Sequence, residues 1–276
     1  MPVISTNTAA NSAVRYLNIN SAQESSSLAK LSSGSKINQA SDDAAGLAIS
    51  TRISSDVTAL QQAATNASQA TSILQTADGG ASNISDILSR MKSLASESSS
   101  GTVTDNSRAY LQSEFSQLSS EIDSIATGTR YSGQSLLDGT SSFAGAGASV
   151  LVGSSSTDTI TVSLSNQTST TLLGATALDI STQTGATSAL TALDTAIDTV
   201  SSARASIGAQ ESRFNFSSDS ISTQSENLKS ANSAITDVDI AAEQSKLSSA
   251  KVKTQAAVSA EAAANELPQY LLKLLG

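Results

Sequence analysis

The chain has 276 residues, a net charge of −9 at neutral pH, no Cys, no His and no Trp, and only 3% aromatic residues. Without His or Cys it lacks the commonest metal ligands and nucleophile–base pairs, and no Asp/Glu run has calcium-loop spacing, so no enzyme, cofactor or metal site is expected. The acidic balance, with a pI near 4.4, opposes nucleic-acid and anionic-membrane partners, and no segment approaches the ~20 apolar residues of a membrane span.

Apolar content sits in Ala, Leu, Ile and Val among many Ser and Thr, a mix that favours long, thin helical packing over a spherical core. Residues 7–127 read as helix nearly throughout. The first stretch carries sparse large apolar positions at Val14, Leu17, Ile19, Leu28 and Leu31. Gly34 fits the residue just past a helix end. In "LSSGSKINQASDDAAGLAIS" (Leu31 to Ser50), Ser41 is a good N-cap, and Asp42 and Asp43 then fall in the first turn. Carboxylates there face the positive helix end and contribute about 0.3–1 kcal/mol each. An acid/base pair or a metal site would need a further polar partner, and none is suggested, so the reading is a helix–loop–helix joint.

From Ile53 the apolar residues recur mostly every three or four positions through Val57, Leu60, Ala64, Ala67, Leu74, Ala77, Ile84, Leu88, Met91 and Leu94, a coiled-coil-like seam. Gly79 and Gly80 interrupt it at about 1 kcal/mol each relative to Ala, a local weakness but not a stop. A break follows over Glu97–Ser107. The next helix carries Leu111, Phe115, Leu118, Ile122 and Ile125 and runs antiparallel to its predecessor.

Residues 128–187 change character. "GTRYSGQSLLDGTSS" is rich in turn formers, and "ASVLVG" and "DTITVSL" are short β-branched runs that predict a small β-hairpin region with exposed polar loops. Helix returns over 188–275, with one face marked by Leu190, Leu193, Ile197, Val200, Ala203 and Ile207. That face continues through Phe214, Ile221, Leu228, Ile235 and Val238. The tail "NELPQYLLKLLG" is markedly apolar. The predicted class is mainly α: N- and C-terminal segments form a long antiparallel helical bundle or coiled coil, and the middle of the chain supplies the hairpin at its tip.

The joint "LSSGSKINQASDDAAGLAIS" closely resembles the N-terminal signature of bacterial flagellins. "RYSGQSLLDG", "VSSARASIGAQESRF", "SAITDVDIAAEQSKL" and "AANELPQYLLKLLG" are similar to further motifs of that family, in the same order. The middle is short, so the chain resembles a flagellin without large outer domains. The resemblance implies an inner terminal coiled-coil layer (1–40 and 235–276) and a core helical-bundle domain (41–234) with 128–187 at its tip. It also implies self-polymerisation into an extracellular flagellar filament and export without a cleaved signal, consistent with an N-terminus lacking a basic segment before an apolar block. Partners implied are further copies of the chain, the export apparatus and its chaperone, and hook-associated and cap proteins.

Isolated helices as short as Ser5–Leu31 are marginal in water, and ordering costs about 1–2 kcal/mol per residue. The few large side chains predict that both ends fold only between neighbouring subunits, through Val14, Leu17, Leu28, Leu31, Ile235, Ile240, Leu247, Leu267, Leu271, Leu272, Leu274 and Leu275. The tail is read as a subunit contact in preference to a membrane-surface helix. By resemblance, Arg90, Leu94 and Glu114 match a pattern contacted by a Toll-like receptor of animal innate immunity, although Ser89 and Ser93 depart from it. The alternative for these three is a core Leu94 beside a solvated Arg90 and Glu114. Rival functions are a hook–filament junction protein and a secreted helical effector or adhesin.

Overall fold

The computed structural model describes residues 7–174 and 177–275, with side-chain surroundings up to residue 266. The elements in order are α1 (Thr8–Ser33), α2 (Ala44–Ser99), α3 (Asp105–Gly128), β1 (Arg130–Tyr131), β2 (Gln134–Ser135), β3 (Ala148–Leu151), β4 (Thr159–Val162), α4 (Ser169–Leu172), α5 (Gln183–Thr236) and α6 (Ile240–Leu275). They form two compact units, residues 56–226 and residues 1–55 with 227–276.

In the unit of residues 56–226, α2 buries Leu60, Ala63, Ala67, Ala70, Leu74, Ala77, Ala81, Ile84, Leu88 and Met91. Steps of three and four alternate without a break, the spacing that keeps one stripe of a helix facing a partner. From α5 come Ala189, Leu193, Ala196, Val200, Ile207 and Phe214, and from α3 Phe115 and Ile122, all in one apolar cluster. Gly79 and Gly80 sit inside α2, which runs on through them. The two differ in role. A Cβ on Gly79 would meet nothing within 4 Å, whereas one on Gly80 would collide with the Thr129 side chain and come within 2.8 Å of Leu137 Cδ1. Gly80 therefore lets the chain after α3 lie directly on α2.

The turn-rich stretch after α3 forms a hairpin, β1–β2 pairing Arg130 with Ser135, and β3–β4 forms a second, with Val150 opposite Ile160. Ile160 and Val162 alternate inward and are buried. Two glutamines tie the non-helical strap to the helices. Gln112 Oε1 accepts from Ile180 N at 2.7 Å, while Gln210 Oε1 accepts from Ser163 N and its Nε2 donates to Ser163 O at 3.0 Å. Arg108, nearly buried, donates from Nε to Ser98 O and from Nη2 to Ser100 O, both at 2.9 Å, and closes the α2–α3 turn.

In the other unit, α1 packs against α6 with the opposite chain direction: Asn7 Nδ2 donates to Ala264 O at 2.8 Å, and Ser35 pairs with Asp237 in an antiparallel bridge. Gly34 ends α1 at φ 71°, the left-handed conformation that only glycine adopts without strain. The expected single C-terminal helix is instead two: α5 stops at Thr236, and Asp239 starts α6 by accepting Ala242 N at 3.0 Å on its side chain. Short acidic side chains that bond nearby backbone compete with helix, and Asp237 likewise accepts from the Ser233 and Thr236 hydroxyls. The predicted boundary at 188 also moves, since α5 already begins at Gln183.

Candidate assembly surfaces

The joint corrects one assignment. Ser41 does not cap the second helix; Asp43 does, its Oδ1 accepting Gly46 N at 2.9 Å and its carbonyl accepting Leu47 N. Asp42 lies before the helix, and its Oδ2 accepts both Asn38 N and Gln39 N at 3.0 Å. Those two amides hold the Asp42 carboxyl below its ordinary range. The helix starts two residues late because the carboxylates outcompete the Ser41 hydroxyl, which only reaches Gln39 Oε1 at 3.5 Å. Gly46 makes room for this cap: a Cβ there would meet Ile37 Cδ1 at 2.8 Å.

Between α1 and α6 the facing residues are small or polar. From α1 they are Ala10, Ala13, Leu17, Asn20, Glu24 and Ser27, of which only Ala10 and Ser27 are buried. From α6 the buried residues are Glu243, Leu247, Ala250, Ala257 and Ala264, with Thr254 half-buried among them. Both rows keep heptad spacing. Glu243 donates nothing and accepts from Lys246 Nζ at 2.9 Å. That ammonium, and next the Ser27 hydroxyl beside it, keep the Glu243 carboxyl below its usual range. Ser27 Oγ nevertheless makes no hydrogen bond of normal geometry, and neither does the buried Thr254 Oγ1.

The larger apolar residues point elsewhere. Val14, Tyr16, Ile19 and Leu28 on α1 and Ile240, Val252 and Val258 on α6 are all exposed, Leu28 to 57% and Ile240 to 66%. Of the residues expected to meet other copies, Val14, Leu28 and Ile240 are thus exposed on the chain's own surface. Leu17, Leu31 and Ile235 are half-buried, and Leu247 is buried in the chain's own seam. Leu267, Leu271, Leu272, Leu274 and Leu275 lie outside the residues whose side chains are described. The sequence reading missed Tyr16, Val252 and Val258. The signal for them was available, since each is a large side chain off the heptad positions of its helix.

Leu94 is 1% exposed and belongs to the core of the larger unit, so it offers no surface to a receptor. Arg90 and Glu114 do come together at the surface, Arg90 Nε donating to Glu114 Oε1 at 2.9 Å. Among the described residues no group of three or more His, Cys, Asp or Glu could hold a metal ion, and no helix is long and apolar enough to cross a membrane.

Helical seams of small residues and rows of large apolar side chains facing outward define a structural chain made for helix-to-helix association. Known proteins say which kind. The N-terminal helical region of bacterial flagellin matches residues 4–142 and the C-terminal helical region matches residues 190–275. The chain belongs to the bacterial flagellin family. It is 37% identical to the flagellin of Halalkalibacterium halodurans over 274 residues and 34% identical to that of Listeria monocytogenes over 283, in each case covering 99% of both chains. It is also 33% identical over 283 residues to a flagellar filament core protein of Treponema maltophilum. The crystal structure of Bacillus cereus flagellin superposes with a TM-score of 0.51 at 32% identity, covering 61% of this chain and 94% of that one.

Proposed function

We infer that this flagellin is a structural subunit that polymerises with copies of itself into the bacterial flagellar filament and so serves motility. The carrying observation is the outward row on the terminal helices: Leu28, Ile19, Ile240 and Val252 are more than half exposed, while the seam inside is mostly small or polar, with Leu17 and Leu247 its large apolar members. Burying each such side chain against a neighbour contributes about 1.5–3 kcal/mol, which the isolated chain forgoes. The terminal residues 1–40 and 235–276 form the inner layer of the polymer, and 41–234, with its hairpins at 128–187, the layer around it. Both chain ends complete their folding only between subunits.

Seeded growth of the full chain tests this. Leu28→Ser with Ile240→Ser should slow elongation at least tenfold, with the helical signal of residues 56–226 unchanged; undiminished growth would overturn the reading. Long fibres from the unmodified chain also exclude a hook–filament junction protein, which would not extend alone, and an effector or adhesin active without its ends. The subunit acts outside the cell, exported without a cleaved signal, with the export apparatus, its chaperone and the hook-associated and cap proteins as transient partners.

A Toll-like receptor of a host is a further partner on this reading, supported by the exposed Arg90–Glu114 pair. A reporter-cell assay with monomer decides it: activation by the wild type and its loss in Arg90→Ala supports the contact, and an inert wild type ends it.

A further inference from the structure

Of the four phenylalanines, Phe115 and Phe214 are buried in the core of residues 56–226 and Phe143 packs against it. Phe216 is placed differently. It lies two residues from Phe214, about 200° round α5, and its ring is 75% exposed. The same unit carries a hole of matching kind. Between α3 and the chain around α4 lies a cavity of about 290 Å³, walled by Phe115, Leu173 and Leu178 together with Ser116, Ser119 and Ser169. No charged side chain is among its described lining residues. Two of the hydroxyls are already committed: Ser116 Oγ donates to Gln112 O at 2.9 Å, and Ser169 Oγ to Asp123 Oδ2 at 2.7 Å. The walls therefore ask little of a polar guest and suit an apolar ring; apolar cavities of about 150 Å³ admit benzene.

Ring and hole cannot meet within one chain. The Arg90–Glu114 pair sets Phe115 level with Ser89 of α2, and the Arg204–Asp78 pair sets Phe216 level with Asn66. At about 1.5 Å per residue they stand about 35 Å apart along α2. We propose that Phe216 of one copy seats in the α3–α4 hole of a second copy. A ring at one level and a hole at another make a heterologous contact, which repeats from copy to copy instead of closing on itself. Charge agrees with that pairing. Arg213, exposed one turn before Phe216, makes no ion pair among the described residues, and neither does Glu121, exposed and next to the lining residue Ser120. The inference rests on the filament reading above and deepens it by naming a contact in the larger unit, separate from the outward row on α1 and α6.

The test uses the full-length chain in seeded growth. Phe216→Ser removes the exposed ring, and Thr170→Trp plugs the hole from an exposed lining residue. Each should slow elongation about tenfold, with the thermal melt of residues 56–226 unchanged. Tyr110→Ser deletes a ring of the same unit that is 78% exposed and should grow as the wild type does. Because the chain has no Cys, Arg213→Cys with Glu121→Cys gives one thiol beside the ring and one beside the hole. A short bis-maleimide added to fibres of that double variant should link successive copies into ladders longer than two. Wild-type growth of Phe216→Ser, an equal slowing in Tyr110→Ser, or bridges that stop at dimers would overturn the contact while leaving the filament reading in place. A wild type that fails to extend seeds would overturn the filament reading, and the contact with it.

Discussion

Residues 56–226 and the paired chain ends use the same heptad spacing with different contents. In the first, the seam is filled by Leu60, Leu74, Ile84, Leu88, Met91, Phe115 and Phe214, each 2% exposed or less. In the second, the buried places on α1 and α6 hold Ala10, Ser27, Glu243, Leu247, Ala250, Ala257 and Ala264, with Leu247 the one large apolar side chain among these. Spacing determines which face of a helix turns inward. Volume and polarity determine whether turning inward is worth the ordering of the chain. On the proposed reading, residues 56–226 hold themselves together, and the paired ends draw part of their stabilisation from neighbouring copies.

The largest expected effect separates the two directly. Phe115→Ala removes a side chain 1% exposed from the main cluster and should cost about 3–5 kcal/mol in denaturant unfolding. Leu17→Ala, in the half-buried seam of α1, should cost less than about 1 kcal/mol in the free subunit. Equal costs would mean that the ends are as well packed as the middle and would remove the contrast.

A second pair of variants probes the larger unit's fit. Gly80→Ala forces a methyl against Thr129 and Leu137 and should destabilise by about 1–3 kcal/mol. Gly79→Ala, one residue away and facing open space, should stabilise by about 0.5–1 kcal/mol. The opposite signs, read in the same thermal melts, test whether the strap after α3 lies as close on α2 as described.

This glycine pair also marks where the sequence stops being legible. Period and residue type disclosed the seams of α2, α3 and α5, because most three-or-four steps carry an apolar side chain; the buried Gln210 and Ser225 of α5 are exceptions. They disclosed the β3–β4 strands through alternating Ile160 and Val162. A glycine needed for close approach is indistinguishable by pattern from one that merely weakens a helix, because the reason lies in Leu137, distant along the chain. The Gln112 and Gln210 bonds to the strap were hidden for the same reason. The break at Asp237–Asp239 was missed because Ile235 and Val238 keep the helical step across it, and local acid-to-backbone bonds overrode that step. Within the candidate site, the sparse large residues on α1 raised the expectation of partners from other copies. What they could not disclose was that Ala and Ser would take the intrachain seam and turn Val14 and Leu28 outward, a choice made by the shape of α6.

The joint gives a smaller effect. Asp43→Ala removes the cap on Gly46 N and should cost about 1 kcal/mol, read as increased exchange of the first amides of α2. Ser41→Ala should leave those amides unchanged, because its hydroxyl caps nothing; the reverse ranking would restore Ser41 as the cap.

The smallest effect is electrostatic and belongs to the chain ends. The Glu243 carboxyl is held below its ordinary range by Lys246 and then by Ser27. A carboxyl depressed in the folded pair stabilises that pair above the ordinary glutamate range, and the contribution is lost as pH falls through the lowered value. Lys246 is 63% exposed at its side chain, so water screens most of the attraction and the loss should stay under about 1 kcal/mol. Assembled filaments titrated from pH 6 to about pH 3 should therefore show faster α1 exchange only at the acid end. Glu243→Gln, which cannot ionise, should flatten that dependence while leaving exchange in the Phe115 cluster untouched. An unaltered acid response in Glu243→Gln would place the sensitive carboxylate elsewhere, with Asp42 the next to examine, since its two backbone donors hold it low in the same direction.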